Sequence, residues 1–320
     1  MKKEIALGID IGGTNTVFGL VDREGNYLAG GSIPTDKYGS INEYLQALHA
    51  EIEKLQSFLK EQFSFVGIGI GAPNANYYKG TIENAVNLRW RGIVPFCELL
   101  KPLFPQIPSF ITNDANAAAI GEMVYGGAKG MKDFVMVTLG TGLGSGLVAN
   151  GRLIYGHDSF AGEMGHIIVV PNGRHCNCGR HGCLETYVSA TGVKRTVFEM
   201  MSKYNEPSDL RAVSFNDMTS KLVAEAAVKG DTVAIATFEY TGKLLGQALA
   251  TVVDLTSPEA IFLFGGMAKA GDLIFKPTKE SMESNVLFTF SNKVKILPSQ
   301  LSDNAAIYGA AALVWNELGK

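Results

Sequence analysis

One arrangement occurs twice in this chain and constrains its fold more than any other feature: an apolar run, a glycine-rich turn and a second apolar run. The first copy spans residues 4–10, the turn Ile11-Gly12-Gly13-Thr14-Asn15, and residues 16–22. The second is Val135-Met136-Val137-Thr138-Leu139, the turn Gly140-Thr141-Gly142-Leu143-Gly144, and residues 145–149. Laid over each other, Thr138 falls on Asp10, Gly140 on Gly12, and Asn150-Gly151 near Glu24-Gly25. At 320 residues the chain is also longer than the roughly 250–300 over which one hydrophobic core grows. Repeat and length together imply two related α/β lobes.

The surrounding pattern fits. A third strand follows the turn at residues 23–26, and Ser40 with Glu43 forms a capping box that opens a helix. Ile41, Tyr44, Leu45, Leu48, Ile52, Leu55 and Leu59 share one face of it. Strands are expected at 65–72, 110–112, 260–264 and 293–297, and helices at 185–204, 217–229, 231–254 and 303–318. The net charge of −3 excludes a basic field for nucleic acid or an anionic membrane. The absence of a leader-like apolar run before Asp10 makes a cytoplasmic location the expectation. Glycine, 37 residues in all, stands well above the ~7% average and points to tight turns and close backbone approach.

Three groups of residues carry chemistry. The two glycine turns match neither a Walker loop nor a Rossmann fingerprint, because each leads into a strand. Their backbone N–H groups, with the hydroxyls of Thr14, Thr141 and Ser145, suit phosphate oxygens, and a third turn at Gly265-Gly266 adds to them. Asp10 beside the first turn suits a hydrated Mg²⁺; the plainer reading is a pair of ordinary hairpins. Asn113-Asp114 ends a strand before an alanine-rich helix. There Asp114 is either an N-cap or, in a kinase, the base that takes a proton from an attacking hydroxyl. Finally, Cys176, Cys178 and Cys183 fall within eight residues, with His166 ten residues upstream. That set supplies a tetrahedral S₃N zinc site, for whose fourth place His175 and His181 compete. Cys97 lies in an apolar helical stretch and reads as core.

Taken together these residues resemble the ROK family of sugar kinases over nearly the whole chain. Asp10-Ile11-Gly12-Gly13-Thr14 and Leu139-Gly140-Thr141-Gly142-Leu143-Gly144 are similar to its two phosphate motifs. Gly162-Glu163-Met164-Gly165-His166, followed by the three cysteines and Glu185, is similar to its signature with a zinc site. Two departures stand out: Pro73-Asn74 where the family usually has Pro-Gly, and Met267 where a third glycine often follows. The resemblance implies an actin-like ATPase (RNase H-like) fold, two α/β lobes around a central cleft. The expected lobes are residues 1–114 plus about 300–320, and 115–299 with the zinc site.

The resemblance also implies that Asp114 is the catalytic base, and that Asn87, Asn113, Asp114, Glu163, His166 and Glu185 bind the sugar. Asp10, Gly12, Gly13, Thr14, Thr141, Gly142, Gly265 and Gly266 would meet the nucleotide and its phosphates. His166 would serve twice, one ring nitrogen on zinc beside Cys176, Cys178 and Cys183 and the other toward the sugar. The implied activity is ATP- and Mg²⁺-dependent phosphorylation of a hexose 6-hydroxyl, glucose first, in a cytoplasmic homodimer with no nucleic-acid or membrane partner. N-acetylglucosamine, N-acetylmannosamine and fructose are the rival substrates, and a sugar-binding sensor is the rival without catalysis. Some members are repressors with a helix-turn-helix ahead of the kinase-like body; with Asp10 already in the phosphate motif, the expectation is that this chain is not one of them.

Overall fold

The computed structural model describes residues 2–59, 63–301 and 304–319. In chain order the first elements are β1 (Lys3–Ile11), β2 (Asn15–Asp22), β3 (Tyr27–Pro34), α1 (Ile41–Leu59) and β4 (Phe63–Gly71). There follow the short strands β5 (Ala75–Asn76), β6 (Thr81–Glu83) and β7 (Ile93–Val94), then α2 (Phe96–Leu100), β8 (Ser109–Thr112) and α3 (Asp114–Val124). The next stretch holds β9 (Phe134–Leu139), β10 (Leu143–Ala149), β11 (Arg152–Leu153), α4 (Glu185–Val188), α5 (Ala190–Lys203), α6 (Ser220–Val228) and α7 (Thr232–Thr256). β12 (Ala260–Phe264), α8 (Asp272–Asn285), β13 (Lys295–Pro298) and α9 (Ala305–Leu318) complete the chain.

The two large sheets have one topology. Their strand orders are β3-β2-β1-β4-β8 and β11-β10-β9-β12-β13. In each, the first strand pairs antiparallel with the second and parallel with the fourth. Asp10 and Thr138 both stand one residue before the end of a central strand. The echo in the sequence is therefore a structural duplication.

Two compact units result: Met1–Met131 with Leu153–Ala161 and Gln300–Lys320, and Lys132–Arg152 with Gly162–Ser299. The boundary expected after Asp114 lies further along, because α3 packs along α9 and stays with the first unit. The excursion at 153–161 also joins that unit. Asn76 donates to the Asp158 carbonyl at 3.1 Å, and Tyr77 stacks on Tyr155 at 3.9 Å.

In the first unit β1 is buried on both faces. Ile5, Leu7, Ile9 and Ile11 enter the core beneath α1, while Ala6 joins Val21, Ile307, Ala311, Val314 and Trp315 against α9. This is the period-2 alternation of a central strand. Tyr44, Leu45, Leu48 and Ile52 of α1 are buried as expected, and the Leu59 side chain lies outside the described residues. The capping box is present, with Glu43 N–H on Ser40 Oγ at 3.2 Å and Ser40 N–H on Glu43 Oε2 at 3.3 Å. In the second unit the long α7 runs through the core.

Three expectations change. The helix expected at 185–204 is broken at Ser189, whose extended backbone lets its hydroxyl cap α5 at Gly192 N. Asp303, the expected start of the last helix, lies outside the described residues. The strand expected at 293–297 runs over Lys295–Pro298. Among the described residues no helix is long and apolar enough to cross a membrane.

Candidate active site and metal centre

In the first unit three parallel strand ends bring the acids together. Asp10 pairs with Gly71, and Gly71 with Thr112, two residues before Asp114. A Cβ on Gly71 would lie 3.3 Å from Asp10 Oδ1 and 3.9 Å from Asp114 Cα, so glycine keeps the two acids close. Burial, and then the charge of Asp114, push the Asp10 carboxyl up to about 7. Burial likewise raises Asp114, against a hydrogen bond from Ala115 N at 2.8 Å.

Asp114 is not the helix cap. Asn113 is, its Oδ1 accepting from Asn116 N at 2.7 Å, and Asp114 is the first helical residue. That arrangement gives the N-cap to Asn113, with Asp114 accepting from the adjacent Ala115 N, and was hidden in the sequence, where either residue caps equally well. The turn between β1 and β2 is closed by Gly12 N on Asn15 O at 3.0 Å, and Thr14 O is held by Thr35 N at 2.8 Å. Thr14 is exposed, as is Asn87, whose carbonyl would lie 2.8 Å from a Cβ on Gly13. The candidate phosphate turn and the candidate sugar loop thus touch. Asn74 takes φ 52°, so the Pro73-Asn74 turn does what glycine would do there.

In the second unit the matching turn rests on the α4–α5 junction. Gly140 O accepts from Ala190 N at 2.9 Å, Thr141 O accepts from Thr191 Oγ1 at 3.1 Å, and a Cβ on Gly142 would meet Glu185 Oε2 at 2.9 Å. Gly265 lies against Leu139 at the end of β9, and Gly266 faces open space. Met267 is buried, its N–H on Leu139 O at 3.3 Å.

Ser145, expected to offer a hydroxyl to phosphate, instead is buried and donates to the Gly162 carbonyl. Gly162 has φ 94°, and Ser145 O lies 2.8 Å from where its Cβ would stand. Ser145 thereby fixes the backbone ahead of Glu163, a role no sequence signal announces.

Ligand atoms of His166, Cys176, Cys178 and Cys183 all lie within 4.8 Å of one another. Zn–S near 2.3 Å and Zn–N near 2.0–2.1 Å imply tetrahedral edges of about 3.5–3.8 Å. Cys176 Sγ to His166 Nδ1 is 3.7 Å, and Cys178 Sγ to Cys183 Sγ is 3.6 Å. The donor set fits zinc, and of the three competing histidines it is His166 that joins the cysteines. Burial opposes ionisation of Cys178, but hydrogen bonds from Arg180 and the neighbouring thiols hold it down to about 6, which leaves a thiolate ready for metal. The other nitrogen of His166 turns toward Glu163, with Nε2 3.9 Å from Oε2. Glu185 Oε1 lies 3.1 Å from Cys176 Sγ. Glu163 and Glu185 therefore flank the His166 imidazole, one near each ring nitrogen.

Two sheets of one topology, each with a glycine turn at its central strand end, define the actin-like ATPase fold, here carrying a sulfur-rich metal centre. The chain belongs to the ROK family, whose profile matches residues 6–317. A glucokinase of Halalkalibacterium halodurans is 36% identical over 314 residues, covering 96% of this chain and 94% of that one. The crystal structure of a ROK family glucokinase from Streptomyces griseus in complex with glucose and AMPPNP superposes with a TM-score of 0.80 at 31% identity, covering 98% and 99%. An N-acetylglucosamine repressor of Escherichia coli O157:H7 is 27% identical over 313 residues, which span 97% of this chain and 75% of the repressor.

Proposed function

We propose that the protein transfers the γ-phosphoryl group of ATP to the 6-hydroxyl of a hexose, glucose foremost. One observation carries this reading: Asp114, at the start of α3 after β8, lies near enough to Asp10, at the end of β1 across β4, to raise its carboxyl, and Asn113 rather than Asp114 is the helix cap. Asp114 accepts the hydroxyl proton as the sugar oxygen attacks the γ-phosphorus. The new O–P bond forms while the bond to the bridging oxygen breaks, and ADP leaves with that electron pair. Burial raises the proton affinity of Asp114, which brings a carboxylate closer to the working pH of a general base.

Asp10 is the residue to hold a hydrated Mg²⁺, which supplies charge neutralisation for the phosphates. Gly12, Gly13, Thr14, Thr141, Gly142, Gly265 and Gly266 are the residues to serve phosphate and nucleotide. Asn87, Asn113, Glu163, His166 and Glu185 bind the sugar hydroxyls, and a zinc held by Cys176, Cys178, Cys183 and His166 would fix the imidazole in place. The glucokinase relative and the structure solved with glucose and AMPPNP support this reading. A homodimer in the cytoplasm, without nucleic acid or membrane as partner, belongs to the same proposal, in keeping with the net charge of −3.

A Cβ on Gly162 would stand 2.8 Å from Ser145 O, so that glycine is set by the backbone, and the choice between glucose and an N-acetylhexosamine falls to the sugar panel. ADP release with ATP, Mg²⁺ and a panel of hexoses tests the proposal. Glucose should give the highest kcat/KM, ahead of N-acetylglucosamine, N-acetylmannosamine and fructose, and 2-deoxyglucose should fall behind because polar groups lose their partner. An N-acetylated sugar that beats glucose by about tenfold replaces the substrate. No release above the ATP-only rate replaces the kinase with a sugar-binding regulator.

A further inference from the structure

His175 and His181 were candidates for the zinc centre, yet they stand outside it. They face each other across an isolated antiparallel bridge, exposed, with ring centres 5.3 Å apart and planes at 78°. The structure assigns to this pair a second, weaker site for a late divalent transition metal, adjoining the sulfur-rich centre. With metal–nitrogen bonds of about 2.0–2.1 Å, each ring centre stands about 3.2 Å from a shared ion, and a tetrahedral N–metal–N angle separates the centres by about 5.2 Å. The observed ring-centre spacing of 5.3 Å matches that distance. Directly opposed residues of an antiparallel pair are the closest cross-strand neighbours, so both imidazoles can reach one ion while water fills its remaining positions.

The surrounding arginines each have a partner other than the two imidazoles. Arg174 pairs with Glu199 at 2.8 Å, Arg195 Nη1 donates to the His175 carbonyl at 3.2 Å, and Arg180 hydrogen-bonds the Cys178 sulfur. Two imidazoles suit zinc, copper and nickel, and they bind more weakly than three thiolates and an imidazole. The pair is therefore an exchangeable landing place for metal at the surface of the loop that carries the permanent ion. The inference does not depend on the kinase reading. It rests on His166 being the fourth ligand of the sulfur-rich centre.

Calorimetric titration of Zn²⁺ into protein already holding one zinc per chain tests it, with elemental analysis of the same samples after gel filtration. A second equivalent should bind to the unaltered protein. His181→Phe keeps an edge-to-face ring pair and removes one ligand, so it separates metal binding from packing. That variant should retain one zinc per chain and weaken the second equivalent by more than about tenfold, the scale on which even an outer-shell partner counts. No second equivalent in the unaltered protein, or one that His181→Phe leaves unchanged, overturns the site. Loss of the first zinc in His181→Phe places His181 in the sulfur-rich centre and overturns both assignments.

Discussion

Asn113 and Asp114 are adjacent residues with separable roles. Asp114→Ala should lower kcat by about 10²–10⁴, the usual worth of a positioned base, while ATP still binds and the melting temperature barely moves. A loss of ~1 kcal/mol in stability with activity kept is the signature of a cap, and that is the outcome expected of Asn113→Ala in its stability arm. Kinetics and melting on one sample separate the two. Asp10 allows a second residue-level test. Its carboxyl is pushed up from an ordinary 3.8 to about 7 by burial and by Asp114. Between those values the folded chain holds a proton that the unfolded chain has released, so stability falls as pH rises from about 4 to 7 and is level above. Asp10→Asn should remove that slope and raise the melting temperature at pH 8 by several degrees, at about 2–4 °C per kcal/mol. Activity should drop in the same variant. Equal melting differences between the two proteins at pH 5 and pH 8 would refute this.

At the scale of elements, α9 lies so close to β4 that a Cβ on Gly69 would sit 1.8 Å from Ala310 O, a backbone atom that cannot swing aside. Gly69→Ala should therefore cost at least about 1–3 kcal/mol by overpacking, read from chemical denaturation, and an unaltered midpoint would show that α9 yields. Such a contact is invisible in sequence, whereas the elements that frame it were legible. Ser40 and Glu43 announce the start of α1, and the two strand–turn–strand repeats announce the centres of both sheets. β5, β6 and β7 escaped because strands of two or three residues carry no period. α8 escaped because Pro277 lies inside it, and proline argues against a helix interior. Of the candidate site, Asp10, Asp114 and the His/Cys set could be picked out from residue type and spacing. The work of Asn113 and Ser145 could not, since each depends on which backbone group folding brings within 3 Å or so.

Seen as a whole molecule, the duplication has been used asymmetrically. The first unit carries Asp10 at the end of its central strand, and the second has neutral Thr138 at the matching place and carries the metal centre instead. That centre gathers ligands from a loop with little secondary structure of its own: a 3₁₀ turn at Met164–His166, and the bridges Ile168↔Cys183 and His175↔His181. The core around α7 and β9 does not need the metal, for it is built from side chains such as Val137, Val193, Phe238 and Leu249. Removing zinc should therefore loosen the loop without unfolding the sheets. Incubation with a strong chelator is expected to leave far-UV circular dichroism nearly unchanged and to lower the melting temperature. It should raise KM for the sugar far more than KM for ATP, because His166 sits in the cluster and Glu163 and Glu185 lie against it. Cys178→Ser should reproduce this pattern. A chelated protein that loses its dichroism together with all activity would mean that the metal holds up the entire second unit. Unchanged sugar KM would separate the metal from the sugar site altogether.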